Sequence, residues 1–326
     1  MGVEDVSSAA SAAGFRGREV AGVKLSVLVA FAALYLVWGS TFLAIRYAVE
    51  TIPPLVMMGV RCLVGGGILL AIAFARDPRA RLPDARQWLA SLVIGLMLFV
   101  CCHGLLAVIE QHVASGLAAL CLATIPLFVP LLAWSAGSAT RPTPRATIAL
   151  VAGFAGVAML VASQGEAGGL RVGWALLLLF TAFSWAAGTV STAHLAQPAS
   201  PLVAAAAALL AGGVVLCLIS LVSGEATSFD PGAVSARSFG GLAYLVIFGT
   251  VCTFSAYVWL LRRVPPARVA TYAFVNPVVA VFLGWAIVSE PVSAGTMVAA
   301  AVIVVAVAVA VSDGRRTPVA GSEPHA

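Results

Sequence analysis

Charged residues are scarce in this chain: they make up 10% of its 326 residues, while hydrophobic residues make up 61%. The mean hydropathy is +1.05. This composition excludes a soluble domain with a polar surface, so we expect the chain to lie in a lipid bilayer. No acidic residue falls near the middle of an apolar run, which argues against an obligatory carboxylate-centred proton or sodium site.

Motifs for catalysis and metal binding are also missing. None of the four histidines belongs to an H-E-x-x-H pattern, and the six cysteines fall in apolar runs without zinc-ligand spacing. The chain has no Walker-type G-x-x-x-x-G-K-[ST] loop and no basic patch interleaved with aromatics. We therefore predict no enzyme, no catalytic residues, no metal site, no cofactor and no nucleic-acid partner.

Long apolar runs dominate what is present. A helix needs about 20 residues to cross the hydrocarbon core, and ten runs approach that length. They are too long and too uniformly apolar for barrel strands. The prediction is an all-α polytopic integral membrane protein. The ten predicted spans are 25–45, 54–75, 88–109, 113–134, 147–163, 172–194, 201–222, 239–260, 268–288 and 292–312.

The positive charges predict the orientation, because Lys and Arg next to spans stay on the cytoplasmic side. With the N-terminus inside, fourteen of the 18 positive residues fall in cytoplasmic segments and three fall outside. Both termini are then cytoplasmic, as a disordered tail at 1–24 and a second tail at 313–326. The preference for Arg over Lys and the high Ala content point to a bacterial inner membrane.

The two halves of the chain resemble each other around Pro126 and Pro277. The segment starting thirteen residues before each proline shares a pattern, and Trp38 and Trp185 mark the opening helix of each half. The predicted repeats are 25–163 and 172–312. Because each holds five spans, they enter the membrane from opposite sides. The ten helices thus form two inverted five-helix repeats, an arrangement common in secondary transporters.

At these residues the chain resembles the EamA-type transporters of the drug/metabolite transporter superfamily. The resemblance is carried by Leu36 to Phe42, Arg61 with the glycines after it, Glu110 to Leu120, Asn276 with Pro277, and Glu290 with Pro291. It implies export, less often import, of small metabolites or drugs such as amino acids. One departure is that Glu290 lies thirteen residues after Pro277, whereas Ala139 holds the matching position after Pro126. Glu290 is thus expected to lack a symmetry partner.

Two polar residues inside the spans are candidates for the substrate site. Arg61 is costly in a membrane, so it must face the bundle, a cavity or a partner; it either ties helices together or binds a substrate carboxylate through two parallel hydrogen bonds. His103 lies two turns from Glu110, a possible proton route. Glu110 and His112 are expected in a water-exposed outer turn, which favours His103 as a hydrogen-bonding group of a cavity.

Aromatic and hydroxyl residues form the other predicted walls of the site. Thr250, Thr253 and Tyr257 share one face of the eighth span at α-helical spacing, and Tyr272 and Asn276 come just before Pro277. Two tryptophans lie mid-span, Trp38, which is close to Thr41, and Trp185. The alternative for these tryptophans is that they anchor the spans at the membrane interface. The predicted substrate-binding residues are Trp38, Thr41, Arg61, His103, Trp185, Thr253, Tyr257, Tyr272 and Asn276.

These features predict a secondary transporter that exports a small zwitterionic or anionic metabolite or drug by alternating access. Its expected partners are a small-molecule substrate and membrane lipid, with a homodimer possible because the fifth and tenth spans are nearly free of polar groups. The alternative is a structural or sensory polytopic membrane subunit without transport. Such a subunit would be expected to carry a soluble output domain, and the loops are short.

Overall fold

The computed structural model describes residues 25–137, 139, 141–163, 170–264 and 266–313. Within these residues every regular element is a helix, which confirms the all-α prediction. Nine of the described helices are long and apolar enough to cross a membrane, and a shorter apolar helix completes the predicted set of ten. The predicted tails lie outside the described residues, apart from residue 313 at the end of the last helix.

The membrane helices are labelled α1 to α10 in chain order. They are α1 (Leu25–Ala48), α2 (Pro54–Arg76), α3 (Ala85–Ile109), α4 (Ser115–Ser135), α5 (Pro144–Ser163), α6 (Val172–Ser191), α7 (Pro201–Val222), α8 (Ala236–Leu261), α9 (Tyr272–Val288) and α10 (Ala294–Asp313). A short helix at Pro266–Val269 precedes α9. Both ends of each membrane helix lie within four residues of the ends of the predicted span.

Local sequence explains several of these helix starts. Proline is the first residue of α2, α5 and α7, where its fixed φ suits the helix and its missing N–H leaves no donor unsatisfied. At α3, Asp84 accepts a hydrogen bond from the Gln87 backbone at 2.9 Å, and the Gln87 side chain accepts one from the Asp84 backbone at 3.1 Å. This capping box satisfies two N–H groups that the helix leaves free.

Glycines allow the helices to pack closely around α7. A Cβ atom added at Gly95 of α3 would lie 2.5 Å from the Ala208 carbonyl oxygen and 2.8 Å from the Gly212 nitrogen of α7. Helix α2 also packs along α7, while α5 and α10 pack against each other. The small residues therefore bring backbones together where larger side chains would separate them.

Three helices contain π-helical segments, and α4 is broken. The wider turns cover Ala33–Val37 in α1, Leu96–Gly104 in α3 and Leu245–Cys252 in α8. Helix α4 consists of Ser115–Leu122 and Ile125–Ser135, interrupted just before Pro126. Helices α3 and α8 are the third of each repeat, so two of the three segments recur with the repeat, whereas α6, the counterpart of α1, is α-helical throughout. Such segments often accompany functional sites in helices.

Candidate functional site

A cavity of about 130 Å³ lies in the middle of the bundle. Residues of α1, α2, α3, α4, α6, α8 and α9 line it. Its lining residues are Trp38, Thr41, Phe42, Arg61, Phe99, Cys102, His103, Ala119, Leu122, Ala123, Ile125, Pro126, Trp185, Thr250, Phe254, Tyr272, Ala273, Asn276 and Pro277. Seven of the nine predicted substrate-binding residues thus meet in one cavity, together with both repeat prolines.

Arg61 is the charged residue among those that line the cavity. Its side chain is 6% exposed. Its Nε donates a hydrogen bond to Thr250 Oγ1 at 3.1 Å, and Nη1 contacts Met58 Sδ at 3.8 Å. Within the described residues no carboxylate lies within 4.0 Å of the guanidinium. A buried charge without a counter-ion is costly, and an anion in the cavity would lower that cost.

His103 of α3 also lines the cavity. Its Nδ1 lies 2.9 Å from the Leu98 carbonyl oxygen. Because a carbonyl can only accept, Nδ1 carries the hydrogen, and Nε2 is the acceptor in the neutral ring. The ring stacks on Phe99 at 5.9 Å and meets Trp185 edge-on at 4.9 Å. The wider π-helical turn brings His103 to the carbonyl five residues earlier.

Trp38 is the centre of an aromatic cluster at the cavity. Its ring lies 4.9 Å from Tyr272 and 5.7 Å from Phe254, and its Nε1 donates to the Gly249 carbonyl at 3.1 Å. Trp38 is therefore held by packing and by a hydrogen bond across the bundle, as expected for a cavity wall rather than a lipid anchor. Thr41 lies one turn further along, and its hydroxyl donates to the Trp38 carbonyl at 2.6 Å.

Asn276 connects α9 to α1. Oriented to donate, its side-chain amide lies 3.2 Å from the carbonyls of Leu34, Tyr35 and Tyr272. Leu34 and Tyr35 belong to the π-helical segment of α1, where the backbone pattern changes. With its nitrogen engaged in this way, Asn276 has its amide oxygen left as an acceptor near the cavity.

Thr253 and Tyr257 lie outside the cavity lining, unlike the other predicted residues. The Thr253 hydroxyl donates to the Phe248 carbonyl at 2.6 Å and is fully buried. Tyr257 packs behind Trp38, with ring centres 5.6 Å apart. The predicted face assumed α-helical spacing from Thr250 onward, whereas the π-helical segment runs to Cys252. Thr250, on the same predicted face, does reach the cavity and holds Arg61.

At one end of the cavity a carboxylate joins the two repeats. Glu290, in the turn between α9 and α10, accepts hydrogen bonds from the Ser115 backbone at 2.9 Å, the Ser115 hydroxyl at 2.9 Å and the Gly116 backbone at 3.1 Å. Arg46 Nη1 lies 3.7 Å from the same carboxylate. We call Glu290, Ser115 and Gly116 the carboxylate clamp, and this end of the bundle the clamp end.

The clamp end agrees with one expectation from the sequence and corrects another. Glu290 has no partner at the symmetry-related position, yet it is 7% exposed and bonded to the start of α4. Glu110 was expected to be exposed in the outer turn, but its side chain is 2% exposed. His112 is exposed, and its ring stacks on Trp174 at 4.9 Å. The turn between α3 and α4 is therefore partly covered by the clamp end rather than fully open to water.

The sequence profile of the EamA-like transporter family matches residues 24–162 and 172–312, nearly the whole chain. The chain belongs to the EamA-like transporter family. Two similar relatives carry transporter names. An Escherichia coli protein named an uncharacterized inner membrane transporter, YedA, is 40% identical over 284 residues, covering 87% of this chain and 90% of the relative. A Bacillus subtilis protein named an uncharacterized transporter, YvbV, is 27% identical, with coverage of 87% and 90%.

A solved crystal structure shares the fold of this EamA-like chain. The TM-score is 0.60 at 21% sequence identity, and the match covers 90% of this chain and 98% of the other. The likeness supports the fold only, since the identity is low. Family and relatives together indicate a membrane transporter rather than an enzyme.

Proposed function

We propose that this EamA-like protein is a secondary transporter that exports a small zwitterionic or anionic metabolite by alternating access. The observation that carries the proposal is Arg61, a buried guanidinium that lines the central cavity without a carboxylate partner among the described residues. A substrate carboxylate would supply the missing charge, and its two oxygens match the geometry of the guanidinium N–H groups.

The rest of the cavity favours a small substrate with an apolar part. Pockets for drug-sized ligands typically measure about 300 to 1,000 Å³, whereas this cavity measures about 130 Å³. Trp38, Phe254 and Tyr272 provide aromatic surface, and His103 and Asn276 provide hydrogen-bonding groups. These features support a molecule with a carboxylate at one end and an apolar or aromatic group at the other.

The fold supports alternating access as the mechanism. The carboxylate clamp joins the first segment of α4 to the turn after α9, and Ser115, Gly116 and Glu290 are all buried. The first segment of α4 packs mainly against α9, whereas the second packs mainly against α6, which the first also touches. The interruption at Ala123–Thr124 lets the two segments take different partners. We propose that this arrangement is a state closed at the clamp end, and that breaking the clamp opens the cavity there.

Orientation and location follow from the charges and the relatives. We place both termini in the cytoplasm and the protein in the bacterial inner membrane, the location in YedA's printed name. The clamp end then faces outward. Export means that substrate enters from the cytoplasmic end and leaves past the carboxylate clamp.

Transport by purified protein in liposomes tests this function. Vesicles preloaded with unlabelled amino acids or small monocarboxylates should take up the matching radiolabelled compound by counterflow with no nucleotide present. Empty liposomes and an Arg61→Ala variant provide the baselines. Strict dependence on nucleotide hydrolysis, or no uptake of any compound in either class, would contradict the proposal. The second result would favour a structural or sensory membrane subunit.

A further inference from the structure

A buried carboxyl group without a hydrogen-bond partner lies at the clamp end. Glu110 follows the last residue of α3, and its backbone N–H donates to the Leu106 carbonyl at 2.9 Å. Neither side-chain oxygen has a hydrogen-bond partner in the described part of the chain. Leaving a buried polar group unpaired costs about 1–3 kcal/mol, and an ion costs far more. The surroundings of Glu110 therefore disfavour a carboxylate.

The donors that could stabilise an ionised Glu110 are engaged elsewhere. The Ser115 and Gly116 N–H groups and the Ser115 hydroxyl donate to Glu290, and Arg46 approaches Glu290 at 3.7 Å. A second negative charge beside Glu290 is unfavourable, because neighbouring carboxylates resist simultaneous ionisation. The arrangement thus holds one carboxyl group, Glu290, that accepts several hydrogen bonds and another, Glu110, that has none among the described residues.

Burial, and next the Glu290 carboxylate, raise the pKa of Glu110 well above its ordinary value of 4.5. Arg46 and Arg61 act in the opposite direction but do not reverse the shift. His112, two residues further on, is exposed and stacked on Trp174. The direction of the shift agrees with the geometry, in which no donor reaches the Glu110 oxygens.

We propose that Glu110 is a proton-binding site linked to the carboxylate clamp: it holds a proton while the clamp end is closed and releases it to water when that end opens. The O–H bond of the neutral carboxyl breaks on opening, leaving a carboxylate and a hydronium ion. Glu110 is not among the cavity-lining residues, so the proton returns to the solution from which it came. The proton controls opening of the clamp end and does not drive substrate across the membrane.

The pH dependence follows from which state binds more protons. The closed state binds the proton more tightly, because the pKa of Glu110 is raised there. Acid therefore favours closure, and this stabilisation is lost as the pH rises through the raised pKa. Below the ordinary value of 4.5 both states are protonated, and the dependence disappears.

Infrared spectroscopy of the purified protein in lipid tests the protonation directly. At a pH well above 4.5, where an ordinary glutamate is ionised, we expect the carbonyl-stretch band of a protonated carboxylic acid, which Glu110→Gln should remove. Glu50→Gln is the matched control, because Glu50 is an exposed glutamate that pairs with Arg237 at 3.6 Å. A titration of the unmodified protein gives a second reading that needs no variant: the band should persist well above pH 4.5. Absence of such a band, or its survival in Glu110→Gln, would overturn the proposal.

Thiol labelling at Val113 tests the link to opening. Val113 is buried beside the clamp, so Val113→Cys should react with a membrane-impermeant maleimide only when that end opens. The chain without this substitution corrects for the six native cysteines. The maleimide labelling rate of Val113→Cys should rise with pH relative to the rate of the double variant Val113→Cys, Glu110→Gln. For one linked proton, the ratio of the two rates should rise by up to about tenfold per pH unit. Combination with Glu50→Gln should preserve this rise.

A constant ratio of the two rates across pH would refute the link between proton and clamp. The proposal rests on the proposed function only for the opening step. The infrared band reports the proton on Glu110 even if no substrate is transported, so failure of the transport assay and failure of this proposal are distinguishable.

Discussion

Glu290 accepts a hydrogen bond from the Ser115 backbone at 2.9 Å, although the two residues belong to different repeats. The matching position to Glu290 in the first repeat is Ala139, which is exposed, and the residue matching Ser115 is Pro266, which has no N–H. The positions that match Glu290 and Ser115 at the opposite end therefore supply neither this acceptor nor this backbone donor. The helices follow the inverted repeat, whereas the carboxylate clamp belongs to one end of the bundle.

Glu290→Gln should weaken closure at the clamp end. Hydrogen bonds to charged groups contribute more than neutral ones, so we expect a loss of about 2 kcal/mol, roughly a thirtyfold shift toward the open state. Maleimide labelling of Val113→Cys at constant pH measures the shift, with Glu50→Gln as the control. Equal labelling with and without Glu290→Gln would show that the carboxylate clamp does not hold this end closed.

Gly284→Ala should displace Glu290 without changing any charge. A Cβ at this position would clash with Glu290 Oε2 and lie 2.9 Å from its Cδ. We expect an opening similar to that of Glu290→Gln, because the carboxylate can no longer reach Ser115. Gly67→Ala is the control: it lies inside α2 with no neighbour within 4 Å of the added atom. If both alanine variants label alike, the close contact at Gly284 does not position the clamp.

The helices could be predicted because each crossing requires an apolar run of similar length. The π-helical segments could not, since Leu245–Cys252 is a largely apolar stretch without proline, and its one glycine, Gly249, is of a kind common inside membrane helices. This limit affected the predicted site directly. Thr253 and Tyr257 were placed by α-helical spacing, and the wider turn before them places Thr250, not Thr253, in the cavity lining.

The polar residues of the cavity could be found because buried charge and paired mid-span aromatics are unusual in membrane helices. The carboxylate clamp was harder to predict. Glu290 and Glu110 both fall in turns, where exposure is the normal expectation, and Ser115 lies 175 residues from Glu290 in sequence. Only the packing of α4 against α9 brings these groups together and buries them.

Arg61→Lys should weaken substrate binding although it keeps the charge. The lysine ammonium cannot form two parallel hydrogen bonds to a carboxylate. A loss of about 1.5–3 kcal/mol would raise the half-saturating concentration roughly 10- to 150-fold. Counterflow in liposomes measures this value, and Arg76→Lys, at the exposed end of α2, is the control. An unchanged value in Arg61→Ala would remove this residue from the substrate site.

Thr250→Val and Thr253→Val form a matched pair on α8. Both threonines are fully buried, and both hydroxyls donate to the carbonyl five residues earlier, at 2.9 Å and 2.6 Å. Only Thr250 also accepts the hydrogen bond from Arg61 Nε and lines the cavity. Both variants lose one hydroxyl donor, and Thr250→Val also leaves the buried Arg61 Nε without its acceptor, so Thr250→Val should lower thermal stability more than Thr253→Val.

The two variants should differ in transport, because only Thr250→Val releases the guanidinium from its fixed position. Loss of one such bond, about 1 kcal/mol, corresponds to a roughly fivefold higher half-saturating concentration, while Thr253→Val should leave that concentration unchanged. Equal effects in the counterflow assay would mean that the threonines act through helix packing alone. A selective effect of Thr250→Val would place Arg61, in the orientation seen here, at the substrate.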